Sequence, residues 1–308
     1  LILEKRSYLP EIAATLMATI FGMSFMFSKL ALANHTPIEL IAHRFLLAFL
    51  IMSILVLFKV IKIDLKGKNM KNLFLLSFAQ PILYFIFESY GIKYSASSQA
   101  GIMIALIPVC VAILGTIFLG EKNTKQEIFF ILLSVAGVVY IAYGKQVDES
   151  SSPIGIILLL GAVISSSVYS IISRKISGEF TSSERTYSMM LYGALVFNAI
   201  NLATHINNGN LDQYFTPWSD PAFVTALLYL GIVSSIIAFF LSNYSLTYLE
   251  ASKASVFANL ATVVSIIMGT VFLKESFSFN QIIGSLMILI GVFGTQYTNI
   301  MQTKNRTA

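Results

Sequence analysis

YGIKYSASSQAGIMIALIPVCVAILGTIFLGEKNTKQEIFFILLSVAGVVYIAY, residues 90–143, returns in altered form as YSLTYLEASKASVFANLATVVSIIMGTVFLKESFSFNQIIGSLMILIGVFGTQY, residues 244–297, at one constant shift and without a gap. Tyr90, Tyr94, Ser98, Gly115, Glu121, Gly137 and Tyr143 fall on Tyr244, Tyr248, Ser252, Gly269, Glu275, Gly291 and Tyr297, and roughly a third of all positions agree. Most of the others exchange one apolar residue for another. Two greasy segments can match by chance in their Leu and Ile, but not so readily in Gly, Glu and Tyr, so the chain contains two copies of one supersecondary unit.

Composition says what kind of unit this is. Of 308 residues 56% are hydrophobic and 11% charged, with a mean hydropathy of +0.78; soluble domains carry about 25% charged residues. The chain therefore reads as an integral membrane protein. Its excess of +5 and pI near 9.1 would suit nucleic acid, but the basic residues sit in short connectors between apolar runs, so no nucleic-acid partner is expected. Cys110 has no second cysteine to pair with, and His35, His43 and His205 are not spaced as metal ligands. No metal or other cofactor is expected.

An apolar run extends from about Tyr8 to Leu32, too long for the core of a signal peptide. Further runs start near Ile38, Leu73, Ala96, Glu127, Ile154, Ser188, Ala222, Ala251 and Phe279. About 20 apolar residues cross about 30 Å of hydrocarbon, where backbone polar groups find no water and spans of this length must be helical. The fold expected is an all-α polytopic membrane protein with ten transmembrane helices. With both termini in the cytoplasm, Lys59, Lys62, Lys66, Lys68, Lys71, Lys122, Lys125, Arg174, Lys175, Arg185 and Lys253 fall inside, and Lys93, Lys145 and Lys274 outside. The connector from Asn207 to Asp220, without Lys or Arg, then lies outside.

The repeat aligns the fourth and fifth spans with the ninth and tenth. Weaker echoes, Ser28-Lys29 with Ser173-Arg174 and Thr36…Glu39 with Thr181…Glu184, extend it to five spans per copy. An odd number of spans makes the second copy enter the membrane from the opposite side. Two inverted five-helix repeats, residues 1–147 and 148–308, suit alternating access, because the halves can exchange shapes.

In this layout the sequence resembles the EamA-type branch of the drug/metabolite transporter superfamily. The likeness rests on "GMSFMFSKLAL" at Gly22 to Leu32, Arg44, "YGIKYSASSQAGIMIALIPV" at Tyr90 to Val109, "LGEKNTKQ" at Leu119 to Gln126, "LKESFSFNQ" at Leu273 to Gln281, and Gly284 with Gly291. The resemblance implies a carrier, typically an exporter of amino acids or related metabolites, with a central cavity bordered mainly by spans three, four, eight and nine. Members often carry a proline in the fourth span of each repeat; Pro108 supplies the first and Thr262 stands in place of the second.

Several residues are candidates for binding or gating. Glu88 is the acidic residue set deepest in an expected span, where a charge costs about 2.5 to 3.5 kcal/mol. It either binds a proton or a substrate amine, or forms a structural ion pair with Lys29 or Arg44. Ser242, its counterpart in the second copy, stands beside Asn243, and the two sites are expected near opposite membrane faces. Gln99, Asn259 and Thr262 either line a path or join helices. Tyr84 could stack on a ligand, while the serines of the sixth span read as helix contacts. Pro108 removes a backbone donor and gives the fourth span a place to bend; it and Asn259 are expected to face the cavity. Gly284 and Gly291, seven apart on one helix face, read as a close packing surface. Gly115 to Asn123 imitates a phosphate loop, but lacks the Gly-Lys-Ser/Thr ending and reads as a helix end.

No paired acids, Ser/His couple or metal set lies at membrane depth, so an enzyme is not expected. The expected protein is a multi-pass transporter of the cell membrane, acting on an amino acid or related small metabolite, with the lipid bilayer as its surroundings and a monomer as its simplest form. A channel-like protein or a proton-coupled multidrug efflux protein is the alternative.

Overall fold

The computed structural model describes residues 8–94, 103–143, 153–273 and 279–307. Each of the ten apolar runs is met there by a helix, and no strand occurs among the described residues. In chain order these are α1 (Leu9–Ala31), α2 (Pro37–Leu57), α3 (Met70–Ser77) continued by α4 (Tyr84–Lys93), α5 (Ile107–Leu119), α6 (Lys125–Tyr143), α7 (Pro153–Lys175), α8 (Ser182–Asn207), α9 (Pro221–Leu228) continued by α10 (Phe239–Tyr248), α11 (Ala251–Val256) continued by α12 (Leu260–Leu273), and α13 (Phe279–Thr307). Seven stretches, Leu9–Ser28, Pro37–Leu57, Met70–Gly91, Pro153–Lys175, Ser182–Asn207, Pro221–Tyr248 and Ala251–Met268, are each long and apolar enough to cross a membrane; Ile107–Leu119 and Phe279–Thr295 are shorter apolar helices.

Local chemistry sets the helix starts. Thr36 with Glu39 and Thr181 with Glu184 close capping boxes at α2 and α8, so the matched Thr…Glu echo begins the same helix in both copies. The box also explains why α8 starts at Ser182 rather than near Ser188: its first turn is polar, and hydropathy alone does not see it. Thr124 and Glu127 exchange the same pair of bonds at α6. Gly120, at φ +67°, ends α5 in the left-handed conformation that only glycine adopts without cost.

Two spans are not continuous α-helix. Phe78–Leu83 between α3 and α4, and Tyr229–Ala238 between α9 and α10, are wound as π-helix, in the third span of each copy. In the first, Gln80 has an extended backbone (φ −148°, ψ 124°) ahead of Pro81, which breaks the span in the middle of the bundle. The fourth span is interrupted as well: residues 105–106 form a turn and Pro108 lies in the first turn of α5, opening this helix rather than bending its interior.

Equivalent helices of the two copies pack antiparallel. Along α2 and α8, Glu39 lies beside His205, Ala42 accepts from Asn198, and Ser53 meets Tyr187. Along α6 and α13 a Cβ on Gly137 would stand 2.6 Å from the Gly284 carbonyl oxygen, and one on Gly291 would stand 2.7 Å from that of Phe130. Backbones this close admit no side chain, and the glycines expected to pack do so. The basic connectors gather at one end of the bundle, where Lys68 pairs with Glu184 at 2.7 Å and Asn69 binds Glu179. At the other end Asp220 caps α9 and meets His35 at 3.1 Å.

Candidate functional site

Between the copies lies a cavity of about 240 Å³. Its wall comes from α1 (Met17, Phe21, Ser24, Ser28), α2 (Arg44), the broken third span (Gln80, Tyr84, Phe85, Glu88), α7 (Ser166, Tyr169, Ser170), the eighth span (Ser234, Phe239, Ser242, Ser245, Leu246) and the ninth (Ala254, Ser255, Ala258, Ala261). Drug-sized ligands need about 300 Å³ or more, so this volume suits a small metabolite. Ile104 and Ile107 of the fourth span complete the wall, so the third, fourth, eighth and ninth spans supply most of it and the first, second and sixth the rest.

Two charged groups face this space. Arg44, buried in α2, donates from Nε to Ser235 Oγ at 2.7 Å and from Nη2 to Ser234 Oγ at 2.9 Å, both serines belonging to the π segment of the eighth span. The hydroxyls of Ser24 and Ser234 lie 2.9 Å apart, and the guanidinium stands 5.2 Å from the centre of the Phe85 ring. Glu88 is four residues beyond Tyr84 on one face of α4, and the tyrosine hydroxyl donates to its Oε1 at 2.8 Å. Arg44 and Glu88 themselves are farther apart than the 4.0 Å of a salt bridge. Neither Nη1 of Arg44 nor Oε2 of Glu88 bonds a described side chain, and neither is sealed from the cavity. A free cationic donor and a free anionic acceptor therefore open into one space.

The hydroxyls around them are biased. Ser24, Ser170, Ser245 and Ser255 donate to carbonyls of their own helices, at Ile20, Ser166, Leu241 and Ser252. A serine bonded this way has only lone pairs left to offer. Apart from Arg44, much of the polar wall accepts rather than donates.

The other candidates divide. Ser242 lines the cavity and meets the Tyr169 hydroxyl at 3.2 Å. Asn243 does not line it: fully buried, it accepts from Ser173 at 2.7 Å and Tyr169 at 3.2 Å and donates to Thr186 at 3.1 Å. Asn259, which its spacing predicts to face the cavity, donates its amide to Ser134 Oγ of α6 at 3.0 Å and joins helices instead. Thr262 and Pro108 are likewise absent from the wall; Pro108 is buried, and the Thr262 carbonyl accepts from Ser265. The side chain of Lys29 and the whole of Gln99 lie outside the described residues. An ion pair of Glu88 with Arg44 is replaced by the Tyr84 bond.

Sequence reasoning missed three features. Gln80 reaches the wall from a position that reads as ordinary span interior, and the polar residues of the sixth span, Tyr169 among them, divide between wall and helix contact. Arg185, which the charge pattern places in a connector, is fully buried and donates to the carbonyls of Ser173 and Asn243 at 2.7 Å each, and to Thr247 Oγ1. Carbonyl groups at helix ends carry partial negative charge, which lets a guanidinium sit there without a carboxylate. A polar first turn beside a capping box was the available signal.

The model of the EamA-like transporter family matches the chain twice, at residues 9–143 and 153–297. The chain is similar to an uncharacterized transporter, YcxC, of Bacillus subtilis (strain 168), 40% identical over 294 residues that cover 95% of this chain and 94% of that protein. An uncharacterized transporter of Archaeoglobus fulgidus is 25% identical over 92% of this chain and 96% of its own length. A solved crystal structure superposes with a TM-score of 0.78 at 16% identity, over 94% of this chain and 96% of that one, a likeness of fold.

Proposed function

We propose that this chain, which belongs to the EamA-like transporter family, carries amino acids or closely related zwitterions out of the cell by alternating access. That it is a multi-pass membrane transporter follows from its family and its apolar helices; substrate and direction are the reading offered here. Its support is the pairing of Arg44 and Glu88 on one cavity without an ion pair between them. A zwitterion supplies both missing partners: its carboxylate meets the free Nη1 of Arg44, and its ammonium meets the free Oε2 of Glu88 and the serine lone pairs. Each contact is a charge-assisted hydrogen bond, about twice as strong as a neutral one. A substrate of single sign would leave one buried charge without a partner, which is costly in a poorly solvated space.

The halves at 1–147 and 148–308, related by inversion, provide the two access states, and the broken third and eighth spans provide places to flex beside the cavity. The end that gathers the basic connectors faces the cytoplasm, with both termini, in a cell membrane. The test is counterflow in proteoliposomes, with candidates chosen by metabolite profiling of cells that overproduce the protein. Saturable exchange of an amino acid supports the reading; a flux without saturation or counterflow refutes a carrier, and exchange confined to substrates of one charge refutes the zwitterion.

A further inference from the structure

Away from the charged end of the cavity, a second group of ionisable side chains joins the copies. Glu121, in the connector after α5, is buried, and its carboxylate accepts from the backbone nitrogens of Ala251 at 2.6 Å and Ser252 at 3.1 Å and from Ser252 Oγ at 2.8 Å. It therefore caps α11 from the other copy, where free N–H groups and the helix dipole favour an anion. Gly120, in its left-handed conformation, turns the chain back to bring Glu121 there, and Gly115 leaves the room: a Cβ on it would stand 2.7 Å from Glu121 Oε2. Next to Ser252, buried Lys253 of α11 lies 3.2 Å from buried Glu127 of α6 and 2.8 Å from Glu250.

This group stands against buried residues of the cavity wall. Leu246, Ala254 and Ser255 of the wall are buried beside it, while Ser28, Tyr84 and Glu88 toward the opposite end are partly exposed. The capping residues also occur twice in the sequence, Gly115, Glu121 and Ser252 being matched by Gly269, Glu275 and Ser98, whereas Lys253 and Glu127 are matched by Gln99 and Gln281. The residue types of the cap thus belong to the repeated sequence, whereas the Lys253–Glu127 charges occur in one arrangement of the copies only.

We propose that Glu121, with the Lys253–Glu127 pair, is a clasp between the two copies that holds this end of the substrate path shut, and that its release opens the path there. The proposal rests on the carrier reading but not on the substrate. Glu121 is a positioning residue: it acts through α11, which bears Ala254 and Ser255 of the wall. In the closed state two buried surfaces are pinned by the charge-assisted bonds of Glu121 and by the Lys253–Glu127 ion pair; without them the equilibrium shifts toward opening at this end.

The experiment measures access from each side. In a Cys110→Ala background, single cysteines are placed by Ser255→Cys at the clasp end and Ser28→Cys at the other, and reacted with an impermeant maleimide in right-side-out and inside-out vesicles. Glu121→Gln keeps the shape of the carboxylate and loses its charge; Lys253→Gln with Glu127→Gln copies the neutral pattern of the matched positions. Either change is expected to speed labelling at position 255 from the clasp side roughly tenfold, the effect of losing one charge-assisted bond, and to slow labelling at position 28. Unchanged rates in folded protein, or faster labelling at both positions, overturn the clasp, as does failure of both variants to fold, which assigns these residues to assembly. Labelling needs no substrate, so a protein with a working clasp and no amino-acid exchange refutes only the substrate assignment.

Discussion

Replacing Glu88 by glutamine separates the two charges of the cavity. Gln keeps an oxygen for the Tyr84 hydroxyl, which donates at 2.8 Å, so α4 retains its local bond and the fold should survive. A substrate ammonium loses a charged acceptor and keeps a neutral one, a difference of about 1 to 1.5 kcal/mol. It also meets the Arg44 charge without the screening carboxylate, a repulsion of about 2 kcal/mol at a separation of about 8 Å and an effective dielectric constant near 20. An amine without a carboxyl group suffers both effects, about 3 kcal/mol or roughly a hundredfold in affinity. A zwitterion offsets the second through its own carboxylate and should lose roughly tenfold, while its N-acetyl analogue should lose nothing. The assay is competition by the three compounds against counterflow of a labelled amino acid, in wild type and Glu88→Gln, with surface expression measured alongside. Equal losses for all three, or none, would refute the assignment of the ammonium to Glu88.

Gly284→Leu drives a side chain into the α6–α13 seam, where a Cβ already stands 2.6 Å from the Gly137 carbonyl oxygen; overpacking of this kind costs about 1–3 kcal/mol and should lower the melting temperature in detergent. Asn243→Ala leaves Ser173 and Tyr169 without their acceptor, a loss of about 2 kcal/mol that should appear in thermal stability with substrate affinity changed less than about threefold. Bonds from Ala222 N–H, and then from His35, hold the Asp220 carboxyl below the usual aspartate range. Its folded value is lower than its unfolded one, so the stabilisation is present above the ordinary value near ~4 and vanishes as pH falls through the folded value. The stability gap between wild type and Asp220→Asn, read from Trp218 fluorescence on heating, should persist down to about pH 4 and close below it. A cysteine at Asn208 should react with an impermeant reagent in intact cells, and one at Lys66 only after permeabilisation; the reverse would invert the proposed orientation.

The sequence carried the duplication openly, because Gly, Glu and Tyr resist chance matching where Leu and Ile do not. It carried the helix positions nearly as well, missing mainly the polar first turn of α8, which hydropathy scores as connector. Glu88 and Arg44 were visible because a charge deep in an apolar run is expensive wherever it points. Asn259 was misplaced for a related reason: spacing every third residue puts a polar row on one face but does not say whether the cavity or α6 lies opposite. Lys253 and Arg185 were beyond reach, since a basic residue between two apolar runs looks the same whether it meets water or lies against a carboxylate or carbonyl contributed from far away in the chain. The π segments left no trace that periodicity can detect.

The seam between α6 and α13 shows what kind of object this is. Gly137 lies against Gly284, and the positions that answer to them under the repeat, Gly291 and Phe130, lie against each other. One contact is thus present twice, as at an isologous interface, where residue i meets j and j meets i. The molecule is in this sense a dimer of two related halves written as one polypeptide. As separate chains, such subunits would need one sequence to insert both ways up. Joined in a single gene, each can hold its own bias: the first keeps five lysines between Lys59 and Lys71, and the corresponding connector of the second, Asn207 to Asp220, has none.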